Sequence, residues 1–172
     1  VLMRRFERQR AASENETPRS LQEIDYLLMV NDETRQGALR FKESDHGAFL
    51  NNSGLRIPPL LELPRLLSAT EHVLDETDTD EDLKLLLAPG SSLGGARPKA
   101  SVRDSDGELC IAKFPRKDDD MNIVLWEAVA LTLAAKAGIT VPKWRLEHIA
   151  GRDVLLLKRF DRRAWRDRVH GR

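Results

Sequence analysis

The stretch PGSSLGGARPKASVRDSDGELCIAKFP, from Pro89 to Pro115, decides how this chain is read. It opens with a Ser/Gly-rich segment, Ser91-Ser92-Leu93-Gly94-Gly95-Ala96, set between Pro89 and Pro98. Glycines there let backbone N–H groups approach an anion closely, because no Cβ intervenes. A strand follows, and Asp106-Gly107 is a two-residue hairpin signal. In the second strand Ile111 and Lys113 share one face. Cys110, Ala112 and Phe114 take the other, because side chains alternate along a strand. A lysine on the face that a Gly-rich loop covers can neutralise phosphate oxygens. The segment is not a Walker A loop, since Gly95 is followed by Ala96-Arg97 and not by Lys-Ser/Thr. Nor does it match the protein-kinase pattern G-x-G-x-x-G. On spacing alone, a surface turn before an edge strand with a solvated lysine explains the same residues.

Downstream, Asp118-Asp119-Asp120 precede a helix expected over Met121–Ala137 and ended by Gly138. The three acids read as helix caps and macrodipole complements, in preference to metal ligands. Leu125, Val129, Ala130 and Leu133 are the expected buried stripe of this helix. Glu127, in its apolar middle, is either an exposed acid or the partner of Lys113. The pair is preferred, because a buried lysine needs an opposite charge to stay ionised and aimed. Kinase folds use such a strand-lysine to helix-glutamate pair to align phosphates. Lys143–Ile149 reads as a strand, Ala150–Asp153 as a turn and Val154–Phe160 as an apolar strand. Hairpin, helix, hairpin gives an α+β fold resembling a kinase small lobe. The end of its last strand, at Lys158, Arg159 and Phe160, is where such folds read adenine through backbone groups.

Upstream, the first ten residues read as part of a helix without a partner. Ser20 with Glu23 makes a capping box for a helix bearing Leu21, Ile24, Leu27 and Leu28 on one face. Gly37–Phe41 reads as a strand that turns at Asp45-His46-Gly47 into Ala48–Leu50. His46 is a solvated turn residue. Leu60–Leu74 is a helix with Pro64 in its first turn, where a missing N–H costs little. The acidic run Asp75–Asp82 lacks the Gly and terminal Glu of a calcium loop and reads as a linker capping a short helix, Leu83–Leu87.

Composition bounds the rest. The chain has 172 residues, 41% hydrophobic and 33% charged, with zero formal net charge. That argues against nucleic-acid binding driven by overall charge. One cysteine, Cys110, excludes an internal disulfide and reads as an inert core thiol in a reducing cytosol. No apolar run approaches the roughly 20 residues of a membrane span.

Four elements occur in one order: Ser92-Leu-Gly-Gly-Ala-Arg-Pro-Lys99, Ile111-Ala-Lys-Phe-Pro115, Trp126-Glu127, and Lys158-Arg-Phe-Asp-Arg162. Together they resemble the HipA family of bacterial toxin kinases, from about Arg19 to Arg163. The resemblance implies a partial N-terminal subdomain over 1–88, an ATP-binding small lobe over 89–160, and a hinge with a basic tail over 161–172. It implies that Ser92, Leu93, Gly94, Gly95 and Ala96 cover the ATP phosphates, that Lys113 holds them, and that Glu127 orients Lys113. Ile111, Arg159 and Phe160 complete the implied ATP site. Ser92 is also the implied autophosphorylation site, where a phosphate would expel the loop from the nucleotide. The implied cofactors are ATP and, in the complete kinase, Mg²⁺. The implied partners are a HipB-like helix-turn-helix antitoxin and a protein substrate of the aminoacyl-tRNA synthetase class. DNA is reached only through the antitoxin, no membrane is involved, and the location is the bacterial cytoplasm.

The family's catalytic Asp, His and Asn lie in a large lobe beyond the hinge, and Asp161–Arg172 does not supply them. The expectation is therefore a chain that begins within the N-terminal subdomain, contains no catalytic residues or metal ligands, and is inactive in transfer by itself. The alternative expectation is a non-catalytic module that binds an antitoxin or a separate kinase half.

Overall fold

The computed structural model of the protein describes residues 2–42, 44–50, 57–90 and 97–161. The Ser/Gly segment 91–96 and the arginine tail 162–172 lie outside the described residues. The fold is α+β, with helices preceding a four-stranded antiparallel sheet. The chain forms two compact units. One is Val1–Ile57 with Ser68–Gly94, the other Pro58–Leu67 with Gly95–Arg172.

In the first unit, α1 (Leu2–Ser13) buries Met3, Glu7 and Ala11 at four-residue spacing and packs on α4 (Asp80–Gly90). The expectation of an unpartnered N-terminal helix is thus corrected. On α4, Leu83, Leu86 and Leu87 are buried. This helix starts earlier than the expected Leu83, because the acidic run supplies its cap. The Thr79 N–H donates to Asp82 at 3.0 Å, and the Asp82 N–H donates to the Thr79 hydroxyl at 3.2 Å. Between these helices, α2 (Glu23–Met29) begins two residues later than expected. Its capping carboxylate is Asp25, which accepts the Gln22 N–H at 2.8 Å, so Ser20 and Glu23 do not form the box. The strand expected over Gly37–Phe41 is absent. Only an isolated bridge joins Lys42 to Phe49. Here arginines take over the organisation. Arg40 binds the buried Asp32 and lies over the Phe49 ring, and Arg35 caps the carbonyls of Leu27 and Val30 at 3.0 and 3.1 Å.

Helix α3 (Leu63–Leu74) follows a 3₁₀ turn at Leu60–Glu62 and carries Pro64 in its first turn. The second unit is then built on β1 (Lys99–Arg103), β2 (Leu109–Lys113), α5 (Ile123–Lys136), β3 (Trp144–Ile149) and β4 (Arg152–Lys158). The sheet order is β1-β2-β4-β3. Turn chemistry sets both hairpins. The Gly107 N–H donates to the Asp104 carbonyl at 2.9 Å, and Gly107 takes φ of 81°, so the first loop has three residues where two were expected. Ala150 and Gly151 have φ of 49° and 77°, which makes the second a two-residue turn between paired Ile149 and Arg152.

One face of β2 is fully buried through Cys110, Ala112 and Phe114, as alternation predicts. Burial pushes the Cys110 thiol up to about 11. The thiolate is the reactive form, so native protein at pH 8 is expected to leave Cys110 unmodified by iodoacetamide, with labelling only on unfolding. Stoichiometric labelling of the folded chain by mass spectrometry would contradict this burial.

Helix α5 corrects the expected buried stripe. Val124 and Ala128 face the sheet, whereas Leu125, Val129 and Leu133 are 38%, 45% and 59% exposed, and Ala130 is exposed too. The helix is apolar on every side, so its sequence periodicity does not mark which side docks. Its cap is also reassigned. The Asn122 side chain accepts the Leu125 N–H at 3.0 Å, and the three aspartates before it do not cap.

Candidate functional site

Strand β2 ends at Lys113, paired across to Lys99 on β1 and to Leu155 on β4. Side chains paired across a ladder share a face, so Lys99 and Lys113 emerge side by side. Helix α5 lies on that face because Val124 and Ala128 pack on Leu155, with Leu131, Trp144 and Leu157 around them. This docking sets the rotation of the helix. Glu127 then points at the end of β2, and Lys113 Nζ donates to Glu127 Oε1. The two side chains are 31% and 34% exposed, so the pair is reachable from solvent.

A pocket of about 250 Å³ opens beside the pair, lined by Arg97, Lys99, Lys113, Phe114, Ile123, Val124 and Glu127. Three cations thus face one carboxylate that already serves Lys113. Arg97 is fixed in the wall. Its Nη1 donates to both Asp119 oxygens at 2.7 Å, and Asp119 also accepts the Arg116 N–H at 3.0 Å. The Arg116 N–H and then Arg97 hold the Asp119 carboxyl below its ordinary range. Asp118 is likewise bound by Arg116 at 2.7 and 2.8 Å. Among the described residues, no three metal-ligating side chains gather. The chain leading into β1 is held further by the Phe114 N–H, which donates to the Pro98 carbonyl at 3.0 Å.

The family model described as HipA-like C-terminal domain matches residues 91–171. This part of the chain is HipA-like. The match takes in the Ser/Gly segment, the whole sheet and α5. No curated protein and no solved structure matches the chain.

Within the HipA-like segment, the structure brings Lys113 and Glu127 together. It leaves Ile111, Arg159 and Phe160 out of the pocket. Ile111 shares the Lys113 face of β2, one alternation away. Arg159 and Phe160 follow β4 at the opposite end of β2. Arg159 lies four positions beyond Leu155, the partner of Lys113, which is about 13 Å along a strand. The Arg159 N–H is spent on the Leu109 carbonyl at 2.9 Å, and its guanidinium binds Asp161 at 2.6 and 2.9 Å. Phe160 is 93% exposed. Lys158 is drawn to Glu108 and Asp106 at the β1–β2 turn. Ser92, Leu93, Gly94, Gly95 and Ala96 lie outside the described residues.

Sequence reasoning did not assign Arg97, Lys99 or Asp119 to the site. For Lys99 the expected turn pointed elsewhere: a two-residue loop at Asp106-Gly107 pairs Lys113 with Ala100, and the three-residue loop shifts its partner to Lys99. Arg97 and Asp119 are 22 residues apart, and no local pattern links them.

Proposed function

We propose that the HipA-like segment of this chain holds the phosphates of ATP for a serine/threonine kinase of the toxin–antitoxin type. The observation that carries this reading is the Lys113–Glu127 ion pair, set in the wall of a pocket that Arg97 and Lys99 also line. Those residues fit the polyphosphate of a nucleotide. Guanidinium and ammonium groups supply charge and directed donors, and Glu127 keeps Lys113 aimed. Among the described residues no three His, Cys, Asp or Glu side chains gather to hold Mg²⁺. Binding of the nucleotide, and not phosphoryl transfer, is the activity assigned to these residues. For the complete kinase the proposed partners are a helix-turn-helix antitoxin and a protein hydroxyl substrate of the aminoacyl-tRNA synthetase class, in the cytoplasm. Ser92 is the proposed autophosphorylation site.

Calorimetric titration of the 172-residue chain with Mg-ATP, beside Lys113→Ala, tests the reading. Saturable binding that weakens at least about tenfold in the variant is expected, since a charged contact is worth about 1.4 kcal/mol or more. Absence of binding in the parent chain overturns it. A second reading, a module that binds another protein, draws on the exposed Leu125, Trp126, Val129 and Leu133 of α5. It would then be the one to pursue.

A further inference from the structure

The first unit carries a feature that the nucleotide reading leaves unused. A pocket of about 340 Å³ lies between α1 and the segment that follows it, lined by Arg4, Glu7, Arg8, Pro18, Arg19, Ser20 and Leu21. Arg4 and Arg8 sit one helical turn apart on α1, so both guanidiniums reach the same side. Arg19 approaches from the opposite wall, where its backbone N–H is tied to Glu7 at 3.4 Å.

Ion pairing does not reach every arginine here. Glu7 is buried and held by Arg10 through both oxygens, at 3.0 and 3.1 Å, it lies 3.6 Å from Arg19, and Arg10 also meets Glu14 and Glu16. Arg19 is matched by Asp25 at 2.8 Å. Among the described residues Arg4 binds the Tyr26 hydroxyl, at 2.7 Å, and lies over the Tyr26 ring. Arg8 is exposed and has no ion pair or hydrogen bond among the described residues. Arg4 and Arg8 therefore stand without a carboxylate partner among the described residues, at the mouth of a pocket that Ser20 also lines. Like charges at i, i+4 repel, so the arrangement is relieved by an anion.

We propose that this pocket binds a phosphate monoester. Its two negative charges near neutral pH match the two uncompensated arginines, and its oxygens accept the forked donors of guanidinium. A carboxylate or a single phosphodiester would leave one of the two charges unmatched. The ester is either a free small molecule or a phosphorylated side chain, and the probes separate these sources.

The test uses the whole chain, labelled with ¹⁵N. Inorganic phosphate, a phosphoserine peptide, its unphosphorylated form and a single-stranded oligonucleotide without terminal phosphate are each titrated at fixed ionic strength. The expected result is saturable shifts at residues 4–21 with phosphate or the phosphopeptide, and at least a tenfold loss in Arg8→Glu and Arg8→Gln. Tighter binding of the phosphopeptide than of inorganic phosphate assigns a side-chain ester, and the reverse a free one. Arg65→Glu reverses a charge elsewhere and should stay within twofold of the parent. Phosphate binding should also weaken as pH falls through about 6, where the dianion is lost, while sulfate binding does not. Arg4, Glu7, Arg8 and Arg19 are the charged groups lining the pocket, with Arg10 and Asp25 bound to them, and none of them is a histidine. Equal loss in Arg65→Glu, no loss in the Arg8 variants, or tightest binding by the oligonucleotide would each overturn the proposal. Far-UV circular dichroism of both Arg8 variants confirms that the exposed position leaves α1 folded.

Discussion

Phe114→Ala is expected to lower the unfolding free energy of the second unit by about 3–5 kcal/mol. Phe114 is among the largest fully buried side chains, on the face of β2 shared with Cys110 and Ala112. Removing its ring loses transfer free energy and leaves a cavity that surrounding strands, fixed by their ladder hydrogen bonds, cannot close. A domain's whole stability is about 5–15 kcal/mol, so the loss is a large part of it. The described tryptophans, Trp126 and Trp144, belong to the second unit, and Tyr26 is in the first. Tryptophan fluorescence in urea therefore reports the affected unit by itself. An unchanged midpoint would mean that the far face of the sheet is not the tight core described here. Phe114 also lines the Lys113 pocket, so its loss should weaken nucleotide binding as well.

Glu127→Ala should separate binding from stability. A half-exposed ion pair contributes about 0–1 kcal/mol to folding, so the melting temperature should barely move. Mg-ATP affinity should nonetheless fall about tenfold, because Lys113 loses the group that orients it and must be repositioned at a cost in side-chain entropy. The double variant with Lys113→Ala should bind no worse than Lys113→Ala alone, since the glutamate acts only through the lysine. Full additivity of the two losses would show that Glu127 meets the ligand independently. Parent-like affinity in Glu127→Ala would remove it from the site.

The parts legible in the sequence are those whose chemistry is local. Gly107 and Gly151 turn the chain at positive φ, Gly138 does so behind α5, and alternation along β2 puts Lys113 opposite the Cys110 face. Order along the chain was enough to suggest that Lys113 and Glu127 meet. What escaped has two physical causes. On α5, apolar residues occur all round the helix, so Leu125, Val129 and Leu133 were as eligible for the core as Val124 and Ala128. Only the position of the sheet chooses between them. Elsewhere, long-range arginine contacts override local propensity. Gly37–Phe41 has strand-like composition, but Arg35 lies over the Phe41 ring and Arg40 is bound to Asp32, leaving a loop. The Arg97–Asp119 clasp belongs to the same class, as does the choice of Asn122 over three aspartates as the α5 cap.

The junction at Pro58 and Pro59 has a bearing on how this protein can be taken apart. The Arg103 N–H donates to the Pro58 carbonyl at 2.9 Å, and Pro59 bridges to Arg103 alongside β1, the edge of the sheet. The family match starts at residue 91, yet the second unit includes Pro58–Leu67. An excision made at the start of the match would strip that cover and expose part of a bare strand edge, the kind that recruits other strands. The boundary of inheritance and the boundary of folding are therefore different places in this chain. A transplantable version of the HipA-like segment has to carry the residues around Pro58 with it.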